Sequence, residues 1–327
     1  MTGAFILLYH RIAEPAADPW QLSVSAGHFS EHLEVLRRHS HVVPLGQMIR
    51  DIDSGTGVED CVAITLDDGY ADNLMARDIL EQGEAPGTVF IATGYVGGHR
   101  EFWWDELDRV LLQPGSLPAV MHLSIDNAPV RVALGEAATY SSEEARLNRR
   151  WRAYDDEPPG SRQAAYLSLW ERLVSQPATE QRRVLGSLVE QAGIDAAPRA
   201  SHRPMTRDEI ASIARSRMIE LGAHTVTHPT LPAWPLTAQR DEIALSKADL
   251  EEMVGRPIEG FAYPHGRYTP ESVGLVRDAG YACAVRPHPG SRSLTAVRPD
   301  RYLLPRVTVP DWDGDTFERM LLHGFEY

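Results

Sequence analysis

The chain is poor in cysteine, has no block of lysine and arginine, and has no long apolar run. Its 327 residues include two cysteines, Cys61 and Cys283. Both lie in strand-like apolar stretches and read as two buried, reduced thiols; a disulfide framework is not indicated. No stretch approaches the roughly 20 apolar residues of a spanning helix. The opening "MTGAFILLYHRI" has only a short apolar run and no basic segment before it. It reads as a buried first strand, not a signal peptide, and a cytoplasmic protein is expected. The net charge is −14, from 32 basic and 46 acidic residues. A nucleic-acid partner would want a basic face, so that class is disfavoured. No repeat or low-complexity segment is evident.

What is present is an ordinary globular composition, 43% hydrophobic and 24% charged. The length suits one large α/β domain or two ordinary ones with a sizeable core. Apolar runs alternate with helical patterns along much of the chain. Strands are expected at residues 4–9, 62–66 and 87–92, and again at "MIELGA", "IEGFAY", "YACAV" and "RVTVP". Between them, residues 29–39 and 72–82 repeat apolar positions at helical spacing. "QRDEIALSKADLEEMVG" closes on Gly255, "PESVGLVRDAG" opens on proline and ends at Gly280, and "GDTFERMLLHG" supplies a last helix. This alternation means a parallel sheet or barrel. Residues 100–204 break it: a hairpin turning near Asp126 and Asn127 is expected, then helices at 143–154, 161–174 and 179–193.

In such folds chemistry gathers where strands end. "VAITL" is followed by Asp67 and Asp68, "MIELGA" by "HTVTHP" with His224 and His228, and "FILLY" by His10. Two adjacent aspartates repel each other and are costly to bury, so the pair asks for a cation. Two histidines four apart plus one carboxylate make a frequent three-ligand metal set that leaves a coordination position open for water. One aspartate can then bind the metal while its neighbour takes a proton from the acidified water. Taken singly, Asp-Asp-Gly is more often a turn and HxxxH more often surface or core histidines. Each placed directly after its own strand, they point to a site.

"TLDDGY", "HTVTHP" and "FAYPHG" resemble the first three motifs of the polysaccharide deacetylases, carbohydrate esterase family 4 or the NodB-homology family. The likeness extends to "LLYHRI", to "ATGYVGG…FWWDEL" and to "LPRVTVPDWDGD", which suggest a bacterial subgroup working on surface glycans or glycoconjugates. The resemblance implies an α/β fold: a distorted (β/α) barrel of fewer than eight regular units, forming one domain over residues 1–327. The 100–204 insertion would be a mostly helical subdomain with a small hairpin. It implies a hydrolase that removes an N-acetyl, or an O-acetyl or N-formyl, group from a sugar by metal-activated water. Asp67 would be the base, and Asp68, His224 and His228 the ligands of Zn2+ or of Co2+, Ni2+ or Mn2+. Given the expected location, the substrate would be an acetylated sugar nucleotide, a lipid-linked sugar or another glycoconjugate. The oligomeric state is not readable.

The chain departs from the family pattern in two places. The arginine that the family carries near Ala262 to orient the base is missing, and Arg306 in "LPRV" is the candidate replacement. His265 stands where the family has tyrosine; that residue contributes its backbone N–H to an oxyanion hole, so the side-chain change is tolerable. The general acid is His10, preferred, or His323 in "MLLHGF". An unperturbed histidine pKa near 6.5 suits the task. Tyr70, Pro264, His265 and Trp312 are candidate substrate contacts. Trp103 and Trp104 are either a hydrophobic plug or a sugar-stacking wall. Asp311 is a candidate to orient a catalytic histidine, whereas Asp313 or Asp315 could simply open the last helix. Two other readings remain: an amidohydrolase acting on a non-sugar amide, and a non-catalytic glycan-binding barrel.

Overall fold

The computed structural model describes residues 3–97, 100–288, 293–294 and 300–325. Contacts divide the chain into two compact units. One comprises residues 1–14, 22–98 and 204–327; the other comprises 15–21 and 99–203. Residues 15–21 group with the second unit although residues 22–98 separate them from the rest of it, which no local pattern announces. No helix among the described residues is long and apolar enough to cross a membrane.

The first unit is a closed parallel barrel of seven strands: β1 (Phe5–Tyr9), β2 (Cys61–Leu66), β3 (Gly87–Ile91), β4 (Ile219–Ala223), β5 (Gly260–Ala262), β6 (Cys283–Pro287) and β7 (Leu304–Thr308). Helices surround it, which is the (β/α) barrel of fewer than eight units that the resemblance implies. β1 closes the ring by pairing with β2, Phe5 opposite Val62 through Tyr9 opposite Leu66, and with β7, Leu7 opposite Val307. Strands such as "FILLY" and "GTVFI" are apolar on both faces because both faces are covered. The two-residue strand His41–Val42 pairs only with the opening of β2.

Alternation along the strands separates two cores. Phe5, Leu7, Tyr9, Val62, Ile64, Leu66, Val89 and Ile91 pack with the helices. Ile6, Ala63, Phe90, Ala262, Val285 and Leu304 form a second cluster, the barrel interior. Phe90 fills much of it. A Cβ on Gly222 would sit 2.4 Å from its ring and 3.0 Å from the Gly260 carbonyl, so β4 has room only for hydrogen there. Helix α1 (Ala26–His39) packs outside. Helix α2 (Leu45–Ser54) sends Leu45, Met48 and Ile49 into the interior cluster. Helix α2 is not among the elements expected above, although Leu45, Met48, Ile49 and Ile52 carry helical spacing. Helix α3 (Asn73–Gln82) follows β2.

The second unit holds α4 (Trp103–Leu111), the hairpin Val120–Ile125 with Ala128–Ala133, α5 (Ser142–Asn148), α6 (Ser161–Leu173) and α7 (Ala178–Ala192). Asp126 and Asn127 both have positive φ, 50° and 61°, the handedness a two-residue hairpin requires. The helix expected through residue 154 stops at Asn148. Beyond it the Asp156 carboxylate accepts the Arg152 N–H and its carbonyl accepts the Trp151 indole N–H, satisfying the chain outside a helix. Back in the first unit, α8 (Arg207–Ile213), α9 (Leu236–Val254), α10 (Pro270–Asp278) and α11 (Gly314–Leu322) complete the chain. Cys283 is buried and Cys61 only partly so; both are unbridged, which corrects the expectation of two buried thiols. The start of β2 lies at the rim, where the chain enters the sheet.

Arg162, in the first turn of α6, organises the second unit. It is 1% exposed, and its guanidinium donates to the carbonyls of Ala137, Gly115 and Ala138 at 2.7–2.9 Å and of Leu111 at 3.4 Å. Replacing it leaves buried acceptors unpaired. Arg162→Met is expected to lower the unfolding free energy by about 3 kcal/mol or more, read from urea denaturation.

Candidate active site

Asp67 continues the inward alternation of β2 from Ala63 and Thr65, and its N–H still joins the ladder by donating to the Tyr9 carbonyl at 3.0 Å. On β7 the same alternation carries Arg306 inward two residues after Leu304. The two side chains meet inside the barrel. Arg306 Nη1 donates to Asp67 Oδ1 at 2.7 Å and Nη2 to Oδ2 at 2.5 Å, a bidentate fork. Nη1 also reaches the Thr65 hydroxyl at 3.1 Å, and the guanidinium lies 5.5 Å from the Phe90 ring centroid. Arg306 is 0% exposed and Asp67 3%. Burial acts to raise the Asp67 carboxyl. Arg306 and His224 overcome it and hold the pKa below the ordinary carboxylate range.

Asp68 leaves the strand through a left-handed turn, φ 73°, and Gly69 follows at 83°. His224 comes directly after β4. Its Nδ1 lies 2.8 Å from the Ala262 carbonyl, which can only accept, so Nδ1 carries the proton and Nε2 presents a lone pair. Nε2 of His228 lies 3.1 Å from Nε2 of His224; Asp68 Oδ1 lies 3.4 Å from the former and 3.6 Å from the latter. All three residues are buried. Burial, above all, keeps both histidines below their usual pKa; for His228 the neighbouring His265 and His224 add to it. Neutral rings and an ionised carboxylate are the donor forms a metal needs.

This set fits a divalent ion. Tetrahedral zinc with ligands at about 2.0–2.1 Å puts neighbouring donors about 3.4 Å apart. The three separations here, 3.1, 3.4 and 3.6 Å, straddle that value. Among the described residues no other group of metal-ligating side chains converges this way.

The backbone around the site is strained. Four non-glycine residues there have positive φ: Asp68, Thr225 (65°), His228 (56°) and His265 (54°). Each costs on the order of 1–3 kcal/mol, most for β-branched Thr225, and persists only where its surroundings enforce it. His265 sits in the turn after β5 with its ring 4.5 Å from that of His228; burial foremost pushes its pKa down to about 3. His10, after β1, lies within electrostatic reach of Asp67, Arg306 and His224. Burial lowers its pKa to about 4 against the pull of Asp67.

The other residues singled out from the sequence have the following surroundings. His323 is exposed at the C-terminal end of α11; Phe325, two residues on, packs edge-on against Phe5 at the start of β1, the opposite end of the barrel from Asp67. Asp311 pairs with His28, Oδ1 to Nδ1 2.7 Å, rather than with His10 or His323. Tyr70 is wholly buried with the Arg11 guanidinium 4.6 Å from its ring centroid. Pro264 is buried in the turn that carries His265. Trp312 packs partly buried against the outer core, its carbonyl accepting from His32. Asp313 caps α11 through the Thr316 N–H. Trp103 and Trp104 belong to the second unit and are 3% and 5% exposed, Trp104 stacked on Phe102 and Trp103 beside Trp170. Sequence reasoning missed Thr65 and Thr225. Thr65 lies two residues before Asp67, so the alternation that places Asp67 could have found it.

Arg306→Met removes the only cation bonded to buried Asp67 among the described residues, and the carboxyl pKa is then expected to rise. Stability at pH 7 is expected to fall by about 3–5 kcal/mol. In the parent the depressed pKa favours folding above the unfolded value near 3.9, a contribution lost as pH falls through the folded pKa. In the variant the raised pKa opposes folding above that value. The deficit between them should therefore shrink from pH 7 toward pH 4, measured by urea denaturation in the presence of a chelator.

Residues 179–284 match the family model described as Polysaccharide deacetylase. Among curated proteins, YxkH of Bacillus subtilis (strain 168) is 29% identical over 114 residues, which cover 35% of this chain. The match spans 39% of that relative's length. Among solved structures, Streptococcus pyogenes deacetylase PplD in complex with acetate superposes with TM-score 0.59 at 16% identity, covering 100% of this chain and 99% of that one. IcaB from Ammonifex degensii gives 0.57 at 16%, covering 99% and 98%. At such identities these superpositions establish the shared fold.

Proposed function

We propose that the chain acts as a polysaccharide deacetylase, the family whose model residues 179–284 match, and that it hydrolyses an N-acetyl group on a sugar or glycoconjugate, releasing acetate and a free amine. The observation that carries this reading is the convergence of Asp68, His224 and His228 beside an Asp67 clamped by Arg306. A zinc ion, or another divalent ion that suits imidazole and carboxylate, would be held by those three residues. When bound, such an ion polarises a carbonyl and lowers the pKa of water from about 15.7 toward about 7.

Asp67 takes a proton from the attacking water. The Arg306 fork fixes both of its oxygens, so its geometry is set before substrate arrives. The same fork keeps Asp67 ionised and ready to accept, at some loss of basicity. His10 relays to the departing amine the proton that Asp67 takes from the water; with its pKa near 4 it enters the step neutral, so this is the proton it passes on. The backbone N–H at His265 stabilises charge on the carbonyl oxygen. The acyl-bearing sugar lies over this end of the barrel, where a nucleotide-activated, lipid-linked or glycoconjugate carrier fits the proposal equally.

The test is acetate release from a panel of N-acetylated sugars, sugar nucleotides and lipid-linked sugars by zinc- and cobalt-loaded protein, with small cyclic amides as the contrasting arm. Asp67→Asn should reduce turnover by about 100- to 10,000-fold, and Asp68→Ala should abolish it with the fold retained. Full activity in Asp68→Ala would overturn the ligand assignment. Turnover of the cyclic amides alone would overturn the substrate class.

A further inference from the structure

Glu242 lies in the second turn of α9, 7% exposed, and among the described residues no lysine or arginine pairs with it. Its carboxylate is satisfied by a loop instead. Oε2 accepts the backbone N–H groups of Val226 and Thr227, both at 2.8 Å, and Oε1 accepts the Thr227 hydroxyl at 2.6 Å. Val226 and Thr227 are the middle of the loop whose ends are His224 and His228.

That loop cannot hold its shape unaided. Thr225 and His228, on either side of the clamped pair, are both left-handed. The Thr225 hydroxyl accepts the His228 N–H at 3.0 Å and donates to the His224 carbonyl. Two backbone bonds fix the loop from β3's side: Thr93 N–H to the Thr225 carbonyl at 3.1 Å and Gly94 N–H to the Val226 carbonyl at 2.8 Å. The two Nε2 atoms lie 3.1 Å apart, a separation that the loop's conformation sets. A slack loop would relax by parting the rings, and binding would then have to bring them back.

We propose that Glu242 is a positioning residue for the metal-binding histidines: its carboxylate clamps the Val226–Thr227 backbone so that the two Nε2 atoms stay converged on Asp68. The inference rests on the reading that Asp68, His224 and His228 hold a divalent cation. It is a role for α9 that acts through the loop and touches neither ion nor substrate.

Cobalt(II) binding to the full chain tests it, followed by visible absorption and by competition with a chelating dye. The parent should bind one tight equivalent, lost in Asp68→Ala. Glu242→Ala should weaken binding about 10- to 100-fold. Glu242→Gln, whose amide oxygen can still accept both backbone N–H groups, should stay within roughly threefold of the parent. Glu252→Ala, exposed on the same helix, should bind as the parent does. Where Glu242→Ala does not fold, Glu242→Asp, which withdraws the carboxylate by one methylene, carries the same expected loss. Parent-like affinity in the Ala or Asp variant overturns the positioning role, and equal losses in Gln and Ala overturn the hydrogen-bond clamp. A parent chain that binds no cobalt overturns the cation reading itself, a distinguishable result.

Discussion

The bidentate pair between Arg306 and Asp67 is the interaction on which the rest of the site depends. It lies inside a closed barrel, where neither charge could remain alone. Removing either from water costs several kcal/mol, and only tight geometry with added hydrogen bonds offsets that cost. The fork and the Thr65 hydroxyl supply it on one side of the guanidinium, while Arg306 Nε is left without an acceptor among the described residues. The pair is therefore a weak source of stability. Its effect is to hold an ionised carboxylate in one orientation, next to a second carboxylate it would otherwise repel.

Strand closure makes that pair possible. β2 and β7 are not neighbours; β1 lies between them and hydrogen-bonds to both. Their inward positions still face a common interior, so an arginine on one can reach an aspartate at the end of the other. This is also why the missing arginine near Ala262 is no loss to the architecture. An arginine can serve from another strand, provided it stands at an inward position near the same rim and its neighbours leave room. Phe90 and the bare α-carbon of Gly222 set that room here.

The elements that announce themselves locally were legible in the sequence. Double-faced apolar runs gave the strands, and the acidic and histidine residues stood directly at their ends. The hairpin turn at Asp126 and Asn127 was visible for the same reason, since residues tolerant of positive φ mark it. What depends on closure was not legible: that β1 completes the ring between β2 and β7, that α2 fills the interior, and that residues 15–21 group with a segment far along the chain. His323 illustrates the limit. A late histidine after a helical run is locally indistinguishable from a catalytic one, and only the direction of α11 shows that it ends at the opposite rim. Glu242 failed to stand out for a related reason. Its partners are backbone N–H groups, which leave no mark on residue type.

The four left-handed residues around the site argue that rigidity there is imposed from outside. A strained loop is stable only while its hydrogen bonds outweigh the strain, so the groups that set its shape need not be those that do chemistry. Ala262 orients His224 through a carbonyl. Thr225 ties together the two ends of its own loop, and Glu242 holds the middle. The chemistry-bearing side chains are few and conspicuous, whereas their supports are ordinary residues scattered over three elements. A barrel of this kind can lose its site without losing any residue that touches it, by slackening one support.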